Sequence, residues 1–224
     1  MNRKPVVAID GPAGSGKSST AKALAEALGL PYIDTGAMYR AVTLKAIRGR
    51  VPFDDKLALA ALAAGAKIEL RGNPKAQEVY LDGENVSKDI RDPELTKNVF
   101  HLAQEPLVRR ELVKKQQEMG RAGGAVMDGR DIGTMVFPNA DYKFFFTASD
   151  DTRAVRRQAE LAAAGIQMSV EAVKKDLLAR DETDLNRKEG PLRQAPDAMT
   201  VDTTSLTIEA TIVKMLAIIG PKPL

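Results

Sequence analysis

The chain has 224 residues, 44% of them hydrophobic, enough for one well-buried core with a small insert and too few for two large domains. Its 33 basic and 30 acidic side chains leave a net charge of only +3, so a nucleic-acid partner is not expected. The absence of cysteine excludes disulfides, thiolate metal sites and cysteine nucleophiles together; with no secretory leader before Asp10 and no run approaching about 18 apolar residues, a cytoplasmic, membrane-free protein is expected.

The apolar run Val6 to Ile9 predicts a buried strand, and it leads directly into GPAGSGKS, Gly11 to Ser18. Gly11, Gly14 and Gly16 allow the backbone to turn sharply and aim successive N–H groups at a polyphosphate; Lys17 can reach the β and γ oxygens, and the Ser18 hydroxyl can hold Mg²⁺. Lys17 to Leu28 has helical apolar spacing, which Gly29 ends. Pro31 to Ile33 predicts a second strand, and Thr35 to Ile47 and Leu57 to Ala64 predict helices. The pattern then changes: Lys67 to Leu70, Glu78 to Leu81 and Asn85 to Ser87, with a turn at Asp82-Gly83, predict an antiparallel insert. Pro93 to Arg121 predicts two helices meeting near Pro106. Ala125 to Met127, Tyr142 to Thr147 and Met199 to Val201 are short apolar runs of the kind found in buried parallel strands, with helices predicted over Thr152 to Ala164, Val170 to Ala179 and Ser205 to Ile219. The predicted fold is therefore α/β, a doubly wound parallel five-stranded sheet with a small antiparallel β insert, and ligands are expected beyond the carboxyl ends of the strands.

Three later clusters carry chemistry. In DTGAMYR, Asp34 to Arg40, Thr35 can cap a helix while Tyr39 and Arg40 offer a ring for stacking and a guanidinium for a phosphate; an ordinary cap followed by surface residues is the alternative. In DGRDIGT, Asp128 stands at a strand end where a carboxylate can orient Mg²⁺ or its water shell. Arg130 can neutralise phosphate, and Asp131 can accept from the exocyclic amine of adenine or cytosine; alternatively these two side chains pair with each other. Late in the chain Arg153, Arg156, Arg157, Arg180, Asp181, Asp184 and Arg187 either face one cleft as a helical lid over a phosphoryl group or form solvated helix faces. His101 has no partner for a triad and is expected at a surface or helix contact. The strings DxxG and NKxD of guanine-nucleotide switches do not occur.

GPAGSGKS, DTGAMYR, MDGRDIGT and RDETDLNR, in this order, closely resemble the bacterial cytidylate (CMP/dCMP) kinases of the P-loop nucleoside monophosphate kinase family. The resemblance implies transfer of the γ-phosphoryl group of Mg·ATP to CMP or dCMP. It implies ATP phosphates at Gly11, Pro12, Ala13, Gly14, Ser15, Gly16, Lys17, Ser18 and Ser19, with Arg157 also on the ATP side. Around CMP it implies Thr35, Tyr39, Arg40, Arg109, Arg130, Asp131, Arg180, Asp184 and Arg187. Arg40, Arg130 and Arg187 would hold the acceptor phosphate, Arg109 and Asp131 would read the cytosine edge, and Arg180 and Asp184 would approach the ribose. Lys17, Arg130 and Arg187 are the expected catalytic residues, and Ser18 and Asp128 the expected Mg²⁺ contacts. The corresponding organisation is a core of residues 1–34 and 123–224, an acceptor-binding region of 35–122 containing the insert at about 67–91, and a lid at about 153–190. One position departs: Phe100 stands where the family usually has a serine that touches the base. Apart from the resemblance, a monomer is the default expectation, with self-association through the insert as the alternative.

Overall fold

A computed structural model describes residues 4–220. Five parallel strands form the central sheet. The first, β1 (Val6–Asp10), is buried along its whole length, as its unbroken apolar run requires. The helix α1 (Lys17–Leu28) follows the glycine-rich loop and leads to β2 (Tyr32–Asp34) and α2 (Thr35–Arg48). Next come α3 (Lys56–Gly65) and the insert, an antiparallel sheet of β3 (Ile68–Arg71), β4 (Glu78–Leu81) and β5 (Glu84–Asn85). Two helices, α4 (Pro93–Ala103) and α5 (Pro106–Arg121), return the chain to β6 (Ala125–Gly129) and β7 (Tyr142–Thr147). The chain closes with α6 (Asp150–Ala163), α7 (Val170–Leu185), β8 (Met199–Asp202) and α8 (Ile208–Ile219). The central order is β2-β6-β1-β7-β8, all parallel.

Alternation along the strands divides the core into two layers. Ala8, Ile33 and Met127 point to the face covered by α2 to α5 and the insert, where Met38, Leu59, Val86, Leu102 and Leu112 pack. Val7, Ile9, Tyr32 and Val126 point to the other face, against Leu24, Phe144, Val201 and Met215. A third, small cluster of Ala154, Val173 and Leu177 joins α6 to α7 and packs on Ala13 of the glycine-rich loop. Among the described residues, no helix is long and apolar enough to cross a membrane.

The predicted elements form with shifted ends. Thr35 is not the cap of α2: Asp34 leaves β2 in an extended conformation and its carboxylate accepts from Ala37 N at 2.8 Å. Thr35 Oγ1 instead donates to Asp128 O at 2.7 Å, tying α2 to β6. The helix α7 continues past Ala179 to Leu185 because buried Asp181 meets Arg153 of α6, an anchor invisible in a polar stretch. Ser149 and Thr207 cap α6 and α8, which moves their starts from the predicted Thr152 and Ser205. In the insert the last strand is Glu84–Asn85, since Ser87 Oγ accepts from Val79 N at 2.8 Å instead of extending the ladder. A wide π turn over Ile132–Val136, with Phe137 N bonded to Ile132 O at 2.7 Å, has no periodic signature and was not predicted.

Candidate functional site

The carboxyl ends of β2, β6 and β1 lie level, with Asp34 opposite Asp128 and Asp128 opposite Ile9. One cleft opens beyond them. The glycine-rich loop forms its floor: Gly11 (φ +147°) has no room for a Cβ against the Phe146 carbonyl, and a Cβ on Gly14 (φ +74°) would lie 2.9 Å from Arg153 O. Ala13, Gly14, Gly16, Lys17, Ser18 and Ser19 line the cleft. Gly11, Pro12 and Ser15 do not, and serve the loop's shape: buried Ser15 donates to Pro12 O at 2.9 Å, the carbonyl that also accepts from Lys17 Nζ at 2.5 Å. Burial first, and then repulsion from Arg130, holds the Lys17 amine well below the ordinary lysine range.

Ser18 Oγ and the Tyr32 hydroxyl both donate to Asp128, each at 2.7 Å. Burial, aided by nearby Asp34, raises the Asp128 carboxyl above its ordinary value. Asp34 itself also binds Arg40, at 3.1 Å.

Arginines from α5, α6 and α7 and from the segments after β6 and α7 converge on the same cleft. Arg130 and Asp131 do not pair with each other. Arg130 Nε donates to Asp184 Oδ2 at 2.7 Å, and Arg187 Nη2 to Asp184 Oδ1 at 2.9 Å, so one carboxylate clasps two guanidiniums. Burial opposes the charge on Asp184, but Arg130, Arg187 and Arg180 outweigh it and hold the carboxyl below its usual range. Asp131, buried, is ion-paired with buried Arg109, which lies 5.8 Å from the Tyr39 ring. Burial pushes Tyr39 up to about 12, so its hydroxyl is neutral. Among the described residues the Arg180 guanidinium makes no hydrogen bond or ion pair; the side chain is exposed at the cleft, yet the protein packed around the guanidinium and the nearby Arg130 lower its pKa to about 10. Arg157 lines the cleft beside its partner Glu160, at 2.8 Å. Arg153 and Arg156 are elsewhere: Arg153 binds Asp181, Asp150 and Ala13 O, and Arg156 binds Thr203.

The family model for cytidylate kinase matches residues 7–220. The chain belongs to the cytidylate kinase family. It is 45% identical to a cytidylate kinase of Geobacillus thermodenitrificans, covering 99% of each chain. It is 47% identical to one of Ligilactobacillus salivarius, covering 98% of each. It is also 49% identical to a bifunctional pantoate ligase/cytidylate kinase of Synechococcus sp. (strain JA-3-3Ab), with 95% of this chain matched but only 41% of that protein's length spanned. Among solved structures, an uncharacterized protein from Eubacterium ventriosum matches with a TM-score of 0.53 at 12% identity, covering 96% of this chain and 98% of that one, a likeness of fold alone.

The position of Phe100, expected from the resemblance to touch the base, has a simple local outcome. Phe100 is 43% exposed and lies outside the cleft lining, its ring beside His101, which stacks on Phe53 at 4.8 Å. The same helix turns Val99 and Ala103 to the cleft. Sequence reasoning missed these two, Glu160, the Arg40 partner Asp34, the Asp128 partner Tyr32, and Asp10, whose carboxylate accepts from Ile132 N and Gly133 N at 2.8 and 2.7 Å. Asp34 and Asp10 were legible as acidic residues at strand ends; the others carried no signal.

Proposed function

We propose that this protein is an ATP-dependent (d)CMP kinase that transfers the γ-phosphoryl group of ATP to CMP or dCMP, giving ADP and CDP or dCDP. The observation that carries the reading is the meeting, in one cleft, of a glycine-lined phosphate loop, the guanidiniums of Arg40, Arg130, Arg180 and Arg187, and the buried Arg109–Asp131 pair. A site for one small metabolite needs the loop; it does not need a second ring of cations and a base-reading pair.

The donor phosphates belong on the loop amides and Lys17, with Arg157 beyond them and the unit of α6 and α7 as the lid. The acceptor phosphate belongs against Arg40, Arg130 and Arg187, with Arg180 and Asp184 near the ribose and Tyr39 and Thr35 beside the nucleoside. Cytosine's exocyclic amine can donate to Asp131, and its carbonyl edge can accept from Arg109; uracil lacks that donor. The acceptor oxygen is already anionic near neutral pH, so no general base is required. It forms a bond to the γ phosphorus as the bond from that phosphorus to the bridging oxygen breaks, and the electron pair leaves on ADP. The chain's part is alignment and charge: orienting two reactants can contribute roughly 7 to 11 kcal/mol, and the arginines offset repulsion between two polyanionic tails.

Ser18 and Asp128 suit Mg²⁺. They are hard oxygen donors 2.7 Å apart at the cleft floor, and Mg²⁺ on a nucleotide takes one or two protein ligands with phosphate and water completing its shell. Bound there, the ion would neutralise charge on the β and γ phosphates. The same reading divides the chain into a core of residues 1–34 and 123–224, an acceptor-side region of 35–122, and a lid at about 153–190. It also favours a cytoplasmic monomer.

An ADP-release assay with Mg·ATP and, separately, CMP, dCMP, UMP, AMP, GMP and shikimate tests the proposal. Turnover with CMP and dCMP well above the others is expected; turnover with shikimate and none with CMP would sink it.

A further inference from the structure

We propose that Asp10 is a positioning residue for recognition of the acceptor base: by capping the π turn Ile132–Val136 from the neighbouring strand, it frees the Asp131 carboxylate to hold Arg109. The proposal rests on the (d)CMP kinase reading. Asp131 occupies the position just before that turn, where an aspartate ordinarily folds back to accept from the turn's first free amides. Here its side chain makes no such bond, and the carboxylate goes to Arg109. The amides of Ile132 and Gly133 are served instead by Asp10, one carboxylate oxygen each, at 2.8 and 2.7 Å. All of these groups are buried, so an amide without an acceptor must find one nearby. The acceptor already at the head of the turn is Asp131. Removing the Asp10 carboxylate therefore draws Asp131 back onto its own turn and away from Arg109. Asp10 is also the residue before Gly11, so one side chain ties the entrance of the phosphate loop to the base-reading pair.

The experiment compares the unmodified protein with Asp10→Asn at pH 8, using Mg·ATP with CMP or UMP. The amide of asparagine can accept only through its oxygen, so one of the two backbone bonds is lost. Expected are a rise in KM for CMP and a fall in the CMP:UMP ratio of kcat/KM, each about tenfold or more, with ATP affinity changed less than about threefold. Asp131→Asn alone should lower the same ratio, and adding Asp10→Asn to it should lower it little further, the non-additivity expected when one residue acts through the other. Asp10→Ser, smaller than aspartate, replaces Asp10→Asn if the latter does not fold. A folded Asp10 variant with undiminished CMP selectivity, or losses that add fully to those of Asp131→Asn, overturns the proposal alone. An unmodified protein inert toward CMP overturns the functional reading and this proposal with it.

Discussion

Arg130 combines two demands on one side chain. Its Nε is committed to Asp184 and its Nη1 reaches Gly129 O at 3.2 Å, which fixes the plane of the guanidinium while leaving further N–H groups in the cleft. Arg130→Ala should lower kcat by about 100-fold or more, the scale of losing one preorganised donor to developing charge. The fold should survive, because Asp184 keeps Arg187 at 2.9 Å. Near-normal turnover in the folded variant would remove Arg130 from the mechanism. Asp10 makes a separate prediction for stability. Burial raises its carboxyl from an ordinary 3.8 to about 7, against the pull of its two amide bonds and Lys17. The folded chain thus binds this proton more tightly than the unfolded chain, and the Asp10 contribution is fully present below about pH 4 and lost as pH rises towards 7. The unfolding free energy of the unmodified protein minus that of Asp10→Asn should therefore fall by the order of a few kcal/mol between pH 4 and 7. Denaturant titrations across that range check it, and a difference that is flat or rises with pH would contradict the assignment.

Elements deliver these residues, and their ends are set by short polar contacts. Asp92 caps α4 by accepting from Glu94 N at 2.7 Å and Leu95 N at 3.1 Å, with Pro93 at the first helical position, where no amide is needed. Asp92→Ala should cost about 1 kcal/mol of unfolding free energy in urea. Turnover should be unchanged, because the cap lies at the far end of α4 from Val99 and Ala103. A lowered kcat would mean that the helix transmits strain to the cleft. Helix existence was legible in apolar spacing, and most strands in short apolar runs. The π turn and the last turn and a half of α7 were not. The first is held by Asp10 of another strand, and the second by the Arg153–Asp181 pair across two helices, so neither depends on local periodicity.

For the whole molecule, the decisive quantity is which strand ends become neighbours. β6 follows β2 by ninety residues of insert and helices, yet it lies between β2 and β1 and brings Asp128 level with Asp34. The phosphate loop, the nature of the fold and the family resemblance could be read from the chain alone, because a strand followed by GPAGSGKS and a helix is a local arrangement whose geometry glycine and lysine dictate wherever it occurs. The pairing of charges could not. Arg130 chose Asp184 rather than adjacent Asp131, Asp131 chose Arg109, and Arg153 left the cleft for Asp181, since a buried ion takes the partner that packing places within reach, and nearness in sequence does not supply it.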